Sequence, residues 1–277
     1  MNSNKSISIL GCGWLGFEVA IAAVLQGYQV KGSTTTPSKI RQLKAYKIAP
    51  FLIDLSQEIE VSEFFNSDIL ILNIPPGRRD PEMRTNYPRR IEKALKAAKK
   101  GGISQVILVS STGVYRSESA AAPDWSFPIY KDEDPNGEGD SAMALIHAEI
   151  LLKEHFEENG TILRFGGLVG GSRLAGRFLA GKKEVSNGVA PVNMIHRDDC
   201  VRIILDIISK EAWGETFNAT ADHHPSRQHF YGLQAAKYGL EPPTFLHERE
   251  ASGKIISNEK LRKRLDYQFS YPDPLQF

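Results

Sequence analysis

The chain has 277 residues, a length that fits one large domain or two smaller ones. Thirty-four Lys and Arg residues nearly balance 33 Asp and Glu residues, which leaves a formal charge of +1. This balance argues against nucleic acid as the main partner, because proteins that bind phosphate backbones are usually strongly basic. The apolar fraction of 41% is typical of a globular protein and argues against a disordered chain.

The sequence carries no signal for a membrane span, an export peptide or a metal centre. Its longest apolar stretches, such as Phe17 to Leu25, are about half the length of a membrane helix. Cys12 and Cys200 stand far apart, without a Cys-x-x-Cys pattern or a matched pair of histidines. We therefore expect no membrane partner, no metal and no disulfide, and a reducing, cytoplasmic setting.

Predicted strands and helices alternate through residues 1–165, which is typical of a parallel sheet covered by helices on both faces. The predicted strands are short and rich in Val, Ile and Leu. They are Ser6 to Leu10, Gln29 to Ser33, Pro50 to Asp54, Asp68 to Asn73, Gln105 to Ser110 and Thr161 to Phe165. The predicted helices are Trp14 to Gln26, Ser38 to Tyr46, Tyr87 to Lys100 and Ser141 to Glu158. The pattern predicts an α/β, Rossmann-type doubly wound parallel sheet.

Residues 166–277 have a different character, with clustered glycines followed by isolated prolines. We expect them to form a smaller substrate-binding region, or lid, beside a dinucleotide-binding domain at 1–165. One apolar helix is predicted at Cys200 to Ile208. We expect residues 191–224, which include this helix, to pack back partly on the sheet.

The loop after the first strand has the pattern G-x-G-x-x-G and consists of Gly11, Cys12, Gly13, Trp14, Leu15 and Gly16. Gly11 permits the tight turn, Gly13 lets the backbone approach a pyrophosphate at the helix N-terminus, and Gly16 allows close packing of helix and strand. The strand before and the helix after favour dinucleotide binding over an ordinary strand-to-helix turn. A modified Cys12 would crowd the phosphates, although a small packed residue also explains its presence.

The end of the second strand bears on the choice of dinucleotide. A carboxylate there binds the ribose 2′-hydroxyl and repels a 2′-phosphate, but residues 31–39 contain no acid. Thr34, Thr35 and Lys39 offer hydroxyls and a cation for a 2′-phosphate. The sequence therefore favours NADP over NAD, although the usual arginine is also missing.

Several ordered motifs resemble the extended short-chain dehydrogenase/reductases of the sugar epimerase and dehydratase type. They are the glycine loop, Asp54-Leu55, the segment from Val109 to Tyr115, Ala148-Glu149, the segment from Leu163 to Gly166, the segment from Asn193 to Asp199, and the segment from Lys254 to Asn258 with Leu261. The resemblance implies that Asp54 reaches the adenine amine. It also implies that Asn73, Ile74 and Pro75 border the nicotinamide ribose.

The family's proton-transfer pair, Tyr-x-x-x-Lys, is missing. Counting back from Glu149 places its two positions at Ser141 and Leu145, and no tyrosine in the chain has a lysine four residues later. A serine hydroxyl is far less acidic than a phenol, and leucine donates nothing. The chain resembles the atypical members that keep the cofactor fold without the usual active site.

The remaining candidate groups surround the expected cofactor. Ser111 takes the family's serine or threonine position, where it would hydrogen-bond a substrate oxygen, and Tyr115 is a candidate proton donor or a packed aromatic. Arg78, Arg173 and Arg177 are candidates for binding an anionic substrate, the alternative being solvated basic loops.

Two functions remain open on the sequence alone. The first is an NAD(P)-dependent oxidoreductase or epimerase-like enzyme that acts on a small, anionic, hydroxyl- or carbonyl-bearing substrate. The second is a non-catalytic sensor that reads nicotinamide redox state. Members of the resembling family often dimerise through two helices, which leaves a homodimer open.

Overall fold

The structure is a computed structural model that describes residues 5–58, 63–77, 80–132 and 134–277. Thirteen strands occur in this part of the chain: β1 Ser6–Leu10, β2 Gln29–Thr34, β3 Ala49–Leu52, β4 Ile69–Leu72, β5 Gln105–Ser111, β6 Glu118–Ala121, β7 Ile129–Tyr130, β8 Gly160–Phe165, β9 Gly167–Val169, β10 Met194–His196, β11 Thr216–Ala219, β12 Glu250–Gly253 and β13 Ile255–Ile256. The α-helices in the same part are α1 Gly16–Leu25, α2 Ile40–Ala45, α3 Met83–Gly101, α4 Asp140–Phe156, α5 Arg197–Ser209, α6 Arg227–Lys237 and α7 Glu259–Leu265.

The central sheet has seven strands in the order β11-β8-β5-β4-β1-β2-β3. The pairs β1–β2, β1–β4, β2–β3 and β4–β5 are parallel, with Ile7 opposite both Val30 and Ile69. The order reverses beside β1, as it does in a doubly wound sheet. The predicted α/β, Rossmann-type fold is therefore confirmed.

All six predicted strands are present, with ends that differ by at most two residues. Strands β4 and β8 are buried at every position, because a parallel sheet covered on both faces excludes water from both sides of each strand. Helix α3 begins at Met83, before the predicted Tyr87, and contains Pro88. A proline commonly marks the first turn of a helix, but here the helix starts one turn earlier, where the Asp80 carboxylate accepts hydrogen bonds from Glu82 N and Asn86 Nδ2.

Two compact units interleave along the chain. Unit 1 is formed from Met1–Val114, Glu138–Leu163 and Val201–Thr216. Unit 2 is formed from Tyr115–Gly137, Arg164–Cys200 and Phe217–Phe277. Most of the apolar helix α5 thus belongs to unit 1, although its sequence lies far beyond the other segments of that unit.

The described part of unit 2 contains three two-stranded sheets. Strands β9 and β10 are parallel, β6 and β12 are antiparallel, and β7 and β13 are parallel. An apolar cluster in the same unit is formed by Val169, Ala175, Val192, Met194 and Phe230. Within the described residues, no helix has the length and apolar character that a membrane crossing requires.

Candidate functional site

Gly11 and Gly16 are required by close backbone contacts inside unit 1. Gly11 has a φ of +103°, and a Cβ there would lie 2.5 Å from the carbonyl oxygen of Asn73. A Cβ at Gly16 would lie 2.3 Å from the carbonyl oxygen of Gly11. Both approaches are shorter than any normal van der Waals contact. The turn after β1 and the first residue of α1 therefore need glycine for the fold itself.

Gly13 differs from its two neighbouring glycines. A Cβ at this position would meet no heavy atom of the described residues within 4 Å, its chain neighbours aside. Gly13 is exposed at the start of the turn that leads into α1, where its carbonyl accepts a hydrogen bond from Phe17 N at 3.1 Å. The first N–H groups of a helix lack partners within it and attract anions. Packing within the described part of unit 1 therefore does not explain a glycine here.

Strands β2 and β4 hold the glycine loop from both sides. Asn73, directly after β4, donates from Nδ2 to the Gly11 carbonyl at 3.0 Å and from its backbone N to Leu10 O at 2.9 Å. On the other side, Ser33 Oγ accepts from Gly11 N at 2.9 Å and Ser33 O accepts from Cys12 N at 2.8 Å. Sequence reasoning missed Ser33 and assigned Asn73 only to the cofactor. The polar residue at each strand end was the available signal.

Cys12 points into the protein. Its side chain is buried, and its Sγ lies 3.7 Å from Ile9 O and 2.7 Å from where a Cβ on Gly32 would stand. Burial raises the pKa of the Cys12 thiol to about 12. The thiol is thus a packed, protonated group, and Cys12 lines the loop through its backbone. Leu15 is buried as well and Trp14 is half-buried.

The end of β2 presents hydroxyl and basic side chains. Thr34 is buried and its Oγ1 accepts from Thr36 N at 3.1 Å, while Thr35 and Lys39 are exposed. Lys31 is directed elsewhere, since its Nζ donates to Glu63 O and Asn66 O at 2.5 Å each. Thr35, Thr36, Ser38 and Lys39 are therefore exposed polar groups at this strand end.

Asp54 follows β3 and is exposed. Its Oδ1 accepts hydrogen bonds from Ser56 N at 2.9 Å and Ser56 Oγ at 2.8 Å. These bonds hold the pKa of Asp54 below its ordinary value, and the positive charges of Arg90 and Lys93 lower it further. Leu55, the next residue, is buried. The turn thus fixes an ionised carboxylate in solvent-accessible space after β3.

The residues after β4 continue the loop that Asn73 begins. Ile74 is half-buried and Pro75 is exposed. The carbonyl of Ile74 accepts a hydrogen bond from the hydroxyl of the buried Tyr87 at 3.3 Å. Helix α3 therefore fixes the backbone of this loop near the carboxyl end of the strand.

Ser111 ends β5, and its half-buried Oγ accepts from Gly113 N at 3.1 Å. Ser141 is exposed in the first turn of α4, and Leu145 is buried one turn later. The two positions of the family pair thus carry an exposed hydroxyl and a packed aliphatic group. They provide no acid or cation.

Tyr115 lies inside unit 2 and is 2% exposed. Its hydroxyl accepts from Arg164 Nη1 at 2.5 Å and lies 3.0 Å from Asn218 Oδ1, and its ring stacks on Tyr130 at 4.9 Å. Burial raises the pKa of Tyr115, a change that the Arg164 charge only partly offsets. The hydroxyl is therefore that of a packed aromatic residue with hydrogen-bond partners.

A buried polar pair links β5 to α4 and was missed by sequence reasoning. Ser110 Oγ donates to Glu149 Oε1 at 2.6 Å, and both side chains are buried. Glu149 is part of the family-like Ala148-Glu149 motif, but the sequence does not reveal its partner. The pair fixes the strand that ends at Ser111 against the helix that carries Ser141.

The structure describes two of the three candidate substrate arginines. Arg78 lies outside the described residues. Arg173 is exposed after the tight turn at Gly170 and Gly171, and Arg177 is exposed in the 3-10 helix Ala175–Phe178. Two arginines near residue 78 have acidic neighbours, since Arg90 lies 3.2 Å from Asp80 and Arg84 lies 3.9 Å from Asp140. Arg173 and Arg177 both belong to unit 2.

Three comparisons with known proteins bear on these features. A family model described as NAD(P)H-binding matches residues 11–211, which include the glycine loop. Protein YeeZ of Escherichia coli K12 is 30% identical over 278 residues, covering 98% of each chain.

Solved structures give the same fold at lower identity. One, from Methylobacillus flagellatus, is described as a candidate NAD-dependent epimerase/dehydratase and matches with a TM-score of 0.75 and 24% identity, covering 98% of this chain and 95% of that one. MoeE5 in complex with UDP-glucose and NAD matches with a TM-score of 0.77 and 17% identity, covering 99% and 96%.

The residues present fit the cofactor that the family model implies. The open space around Gly13, the adjacent start of α1 and the clamped loop form a place where a pyrophosphate can approach the backbone. The glycine loop, the parallel sheet and the match over most of the length agree with one another. The chain therefore belongs to the NAD(P)H-binding family whose model matches residues 11–211, and its sequence has no Tyr-x-x-x-Lys pair.

Proposed function

We propose that the protein is an NAD(P)-dependent enzyme, an oxidoreductase or epimerase/dehydratase-like catalyst for a small, anionic, hydroxyl- or carbonyl-bearing substrate. The observation that carries this proposal is the geometry of Gly13. A Cβ at this position would meet no heavy atom of the described residues within 4 Å, so packing does not require a glycine there. A glycine at this position would let the pyrophosphate of a dinucleotide approach the backbone closely. The fold shared with MoeE5, which was solved with UDP-glucose and NAD, supports the same class of chemistry.

NADP is the preferred cofactor in this proposal. The exposed Thr35 and Lys39, with the buried Thr34, would bind a 2′-phosphate, and residues 31–39 contain no acid that would repel it. Asp54 would accept a hydrogen bond from the adenine amine through its carboxylate, and Leu55 would support that loop. Asn73, Ile74 and Pro75 would border the nicotinamide ribose.

The bound cofactor would supply hydride transfer, and this chain's own residues would orient the substrate. Ser111 Oγ would hydrogen-bond a substrate oxygen at the carboxyl end of β5, where ligands bind in open α/β sheets. Ser141, exposed on α4, would contribute a second hydroxyl. Tyr115 would act as a positioning residue for the segment after Ser111, because its hydroxyl is already engaged by Arg164.

Unit 2 would supply the anion-binding groups. The exposed Arg173 and Arg177 would receive a carboxylate or phosphate of the substrate in the region of residues 166–277, and Arg78, which lies outside this region, stays a candidate from the sequence alone. The two buried free cysteines support a reducing, cytoplasmic setting, because each is a thiol with no disulfide partner. A homodimer is part of the same proposal, by analogy with the family.

Fluorescence titration with NADPH and NADH tests the cofactor assignment. We expect tighter binding of NADPH, and the Lys39→Met variant should reduce that difference. NADH binding at least as tightly as NADPH in the wild-type protein would contradict the NADP preference. Failure of both nucleotides to bind would contradict the whole proposal.

A non-catalytic redox sensor is the second candidate, and one observation favours it. The two family positions for proton transfer hold an exposed serine, Ser141, and a buried leucine, Leu145. A sensor needs the cofactor fold but no proton donor. It would bind NADP⁺ and NADPH with different affinities and turn over nothing.

Turnover separates the two candidates. The enzyme should oxidise NADPH in the presence of some member of a panel of small carbonyl compounds, and the Ser111→Ala variant should lose that activity while still binding NADPH. An Arg177→Ala variant should raise the KM for an anionic carbonyl substrate. Unequal affinities for the two redox forms, without turnover of any carbonyl compound, would favour the sensor.

A further inference from the structure

Lys254 is held rigidly between two short strand pairs of unit 2. It is the single residue between β12 and β13, which pair with β6 and β7 respectively. The side-chain amide of Asn193 makes two hydrogen bonds to the backbone here. Its Nδ2 donates to Lys254 O at 2.9 Å, and its Oδ1 accepts from Ile256 N at 2.8 Å. The backbone of Lys254 is therefore fixed on both sides by one side chain.

The ammonium of Lys254 is partly buried without a counter-ion. Its Nζ donates to the backbone carbonyl of Tyr115, and no carboxylate of the described residues lies within 4.0 Å of it. Burial lowers the pKa of this ammonium. Other lysines of unit 2 behave differently, since Lys183 is exposed and lies 2.5 Å from Glu241, and Lys263 lies 2.6 Å from Glu259.

This arrangement costs free energy that the fold alone does not require. A partly buried cation is stabilised when a carboxylate pairs with it, and a single carbonyl uses only one of the three donors on an ammonium. A methionine could fill the same volume without the charge. Desolvated charges that lack a structural partner are concentrated at functional sites.

The backbone carbonyl that Lys254 binds lies in a segment of unit 2 that is itself fixed by other contacts. The carbonyl that it binds belongs to Tyr115, four residues after Ser111 in the sequence. Tyr115 is itself fixed by Arg164 and by stacking on Tyr130. The ammonium is thus anchored against a residue that is itself held in place, as a binding group must be if it is to select a ligand.

We propose that Lys254 is a substrate-binding residue whose ammonium binds an oxyanion, a carboxylate or a phosphate group of the small molecule. The proposal rests on the proposed function only in naming that molecule as the substrate. Anion binding at Lys254 can be measured without cofactor or turnover. The two proposals can therefore fail separately.

The direct test observes Lys254 in the full-length protein by NMR, with lysines labelled with carbon-13 at Cε. The Lys254 signal is assigned by its absence from the Lys254→Met spectrum. Inorganic phosphate and acetate are titrated separately, which distinguishes a phosphate site from a carboxylate site. We expect one of them to produce a saturable shift of the Lys254 signal, with no saturable shift at Lys183. A Lys254 signal that moves no more than that of Lys183 with both anions would overturn the proposal.

Variants provide the second arm. The anion that shifts the Lys254 signal should bind at least about tenfold more weakly to Lys254→Met, judged by its effect on thermal unfolding. Lys254→Arg, which keeps the charge, should retain most of the binding, and Lys183→Met is the matched control that should retain all of it. Equal affinity of Lys254→Met and Lys183→Met would overturn the proposal. If Lys254→Met does not fold, Lys254→Arg, which also lacks the lysine Cε signal, assigns the wild-type spectrum, and the wild-type titration decides.

Discussion

At the scale of single residues, the three glycines of the loop have separate physical roles. Gly11 and Gly16 are needed because a Cβ on either residue would stand only 2.5 or 2.3 Å, respectively, from a backbone oxygen. Gly13 has no such neighbour. A sequence pattern treats the three as equivalent, whereas in the structure close backbone contacts require glycine at two of them and not at the third.

Substitution of Gly16 should therefore reduce stability, although it stands in a helix. Alanine normally stabilises a helix by about 1 kcal/mol relative to glycine. At Gly16 the clash with the Gly11 carbonyl outweighs this gain, and we expect Gly16→Ala to lower the free energy of unfolding by about 2 kcal/mol. Urea unfolding measures the change. Stability equal to that of the wild-type protein would show that the loop yields without cost.

Cys12 gives a pH-dependent prediction. Burial raises the pKa of its thiol from 9.0 to about 12, so the folded state retains the proton at a pH where the unfolded state loses it. The free energy of unfolding should therefore fall as pH rises above 9.0, by up to about 1.4 kcal/mol per pH unit from this thiol. Urea unfolding of the wild type and of Cys12→Ala across this range isolates the effect. A difference between the two proteins that does not change with pH would contradict the buried-thiol assignment.

At the scale of elements, the buried pair of Ser110 and Glu149 connects β5 to α4. Removing the Ser110 hydroxyl leaves a buried carboxylate with one donor fewer, so Ser110→Ala should destabilise the protein by about 1–3 kcal/mol. Ser104→Ala is the matched control, because the Ser104 hydroxyl is exposed, and it should change stability by less than about 0.5 kcal/mol. Chemical denaturation compares the two. Equal effects would mean that the buried pair contributes no special stability.

The strands of the sheet were predictable because each is a short apolar run buried on both faces, as in Ile69–Leu72. Strand β11 was missed because Thr216–Ala219 carries Asn218, a polar residue whose amide and carbonyl groups are satisfied only by distant partners such as Tyr115 and Lys131. The pairs β6–β12 and β7–β13 join segments far apart in sequence. No local pattern encodes such pairing.

The candidate site divides in the same way. The glycine loop and the polar end of β2 could be predicted from local sequence, because the residues that form them lie within one turn and the next strand. The clamp from Asn73 to Gly11 and the bond between Ser110 and Glu149 join residues 62 and 39 positions apart. The lack of a carboxylate near the Lys254 ammonium, among the described residues, could be recognised only from the three-dimensional structure.

At the scale of the whole molecule, the formal net charge is only +1. The balance of 34 basic and 33 acidic residues argues against a polyanion as the main partner. It leaves room for individual cations, such as Arg177 and Lys254, to bind a small anion. Unit 1 carries the glycine loop, and unit 2 carries these cations.

The central claim is that unit 1 binds NAD(P) through the glycine loop, and NADPH titration of Gly13→Ala tests it most directly. A Cβ at Gly13 meets open space, so the variant should fold with unchanged stability and yet bind NADPH at least about tenfold more weakly. Gly232→Ala in α6, where a Cβ also meets no heavy atom within 4 Å, is the matched control and should bind like the wild type. NADPH affinity that is unchanged in Gly13→Ala would contradict the account.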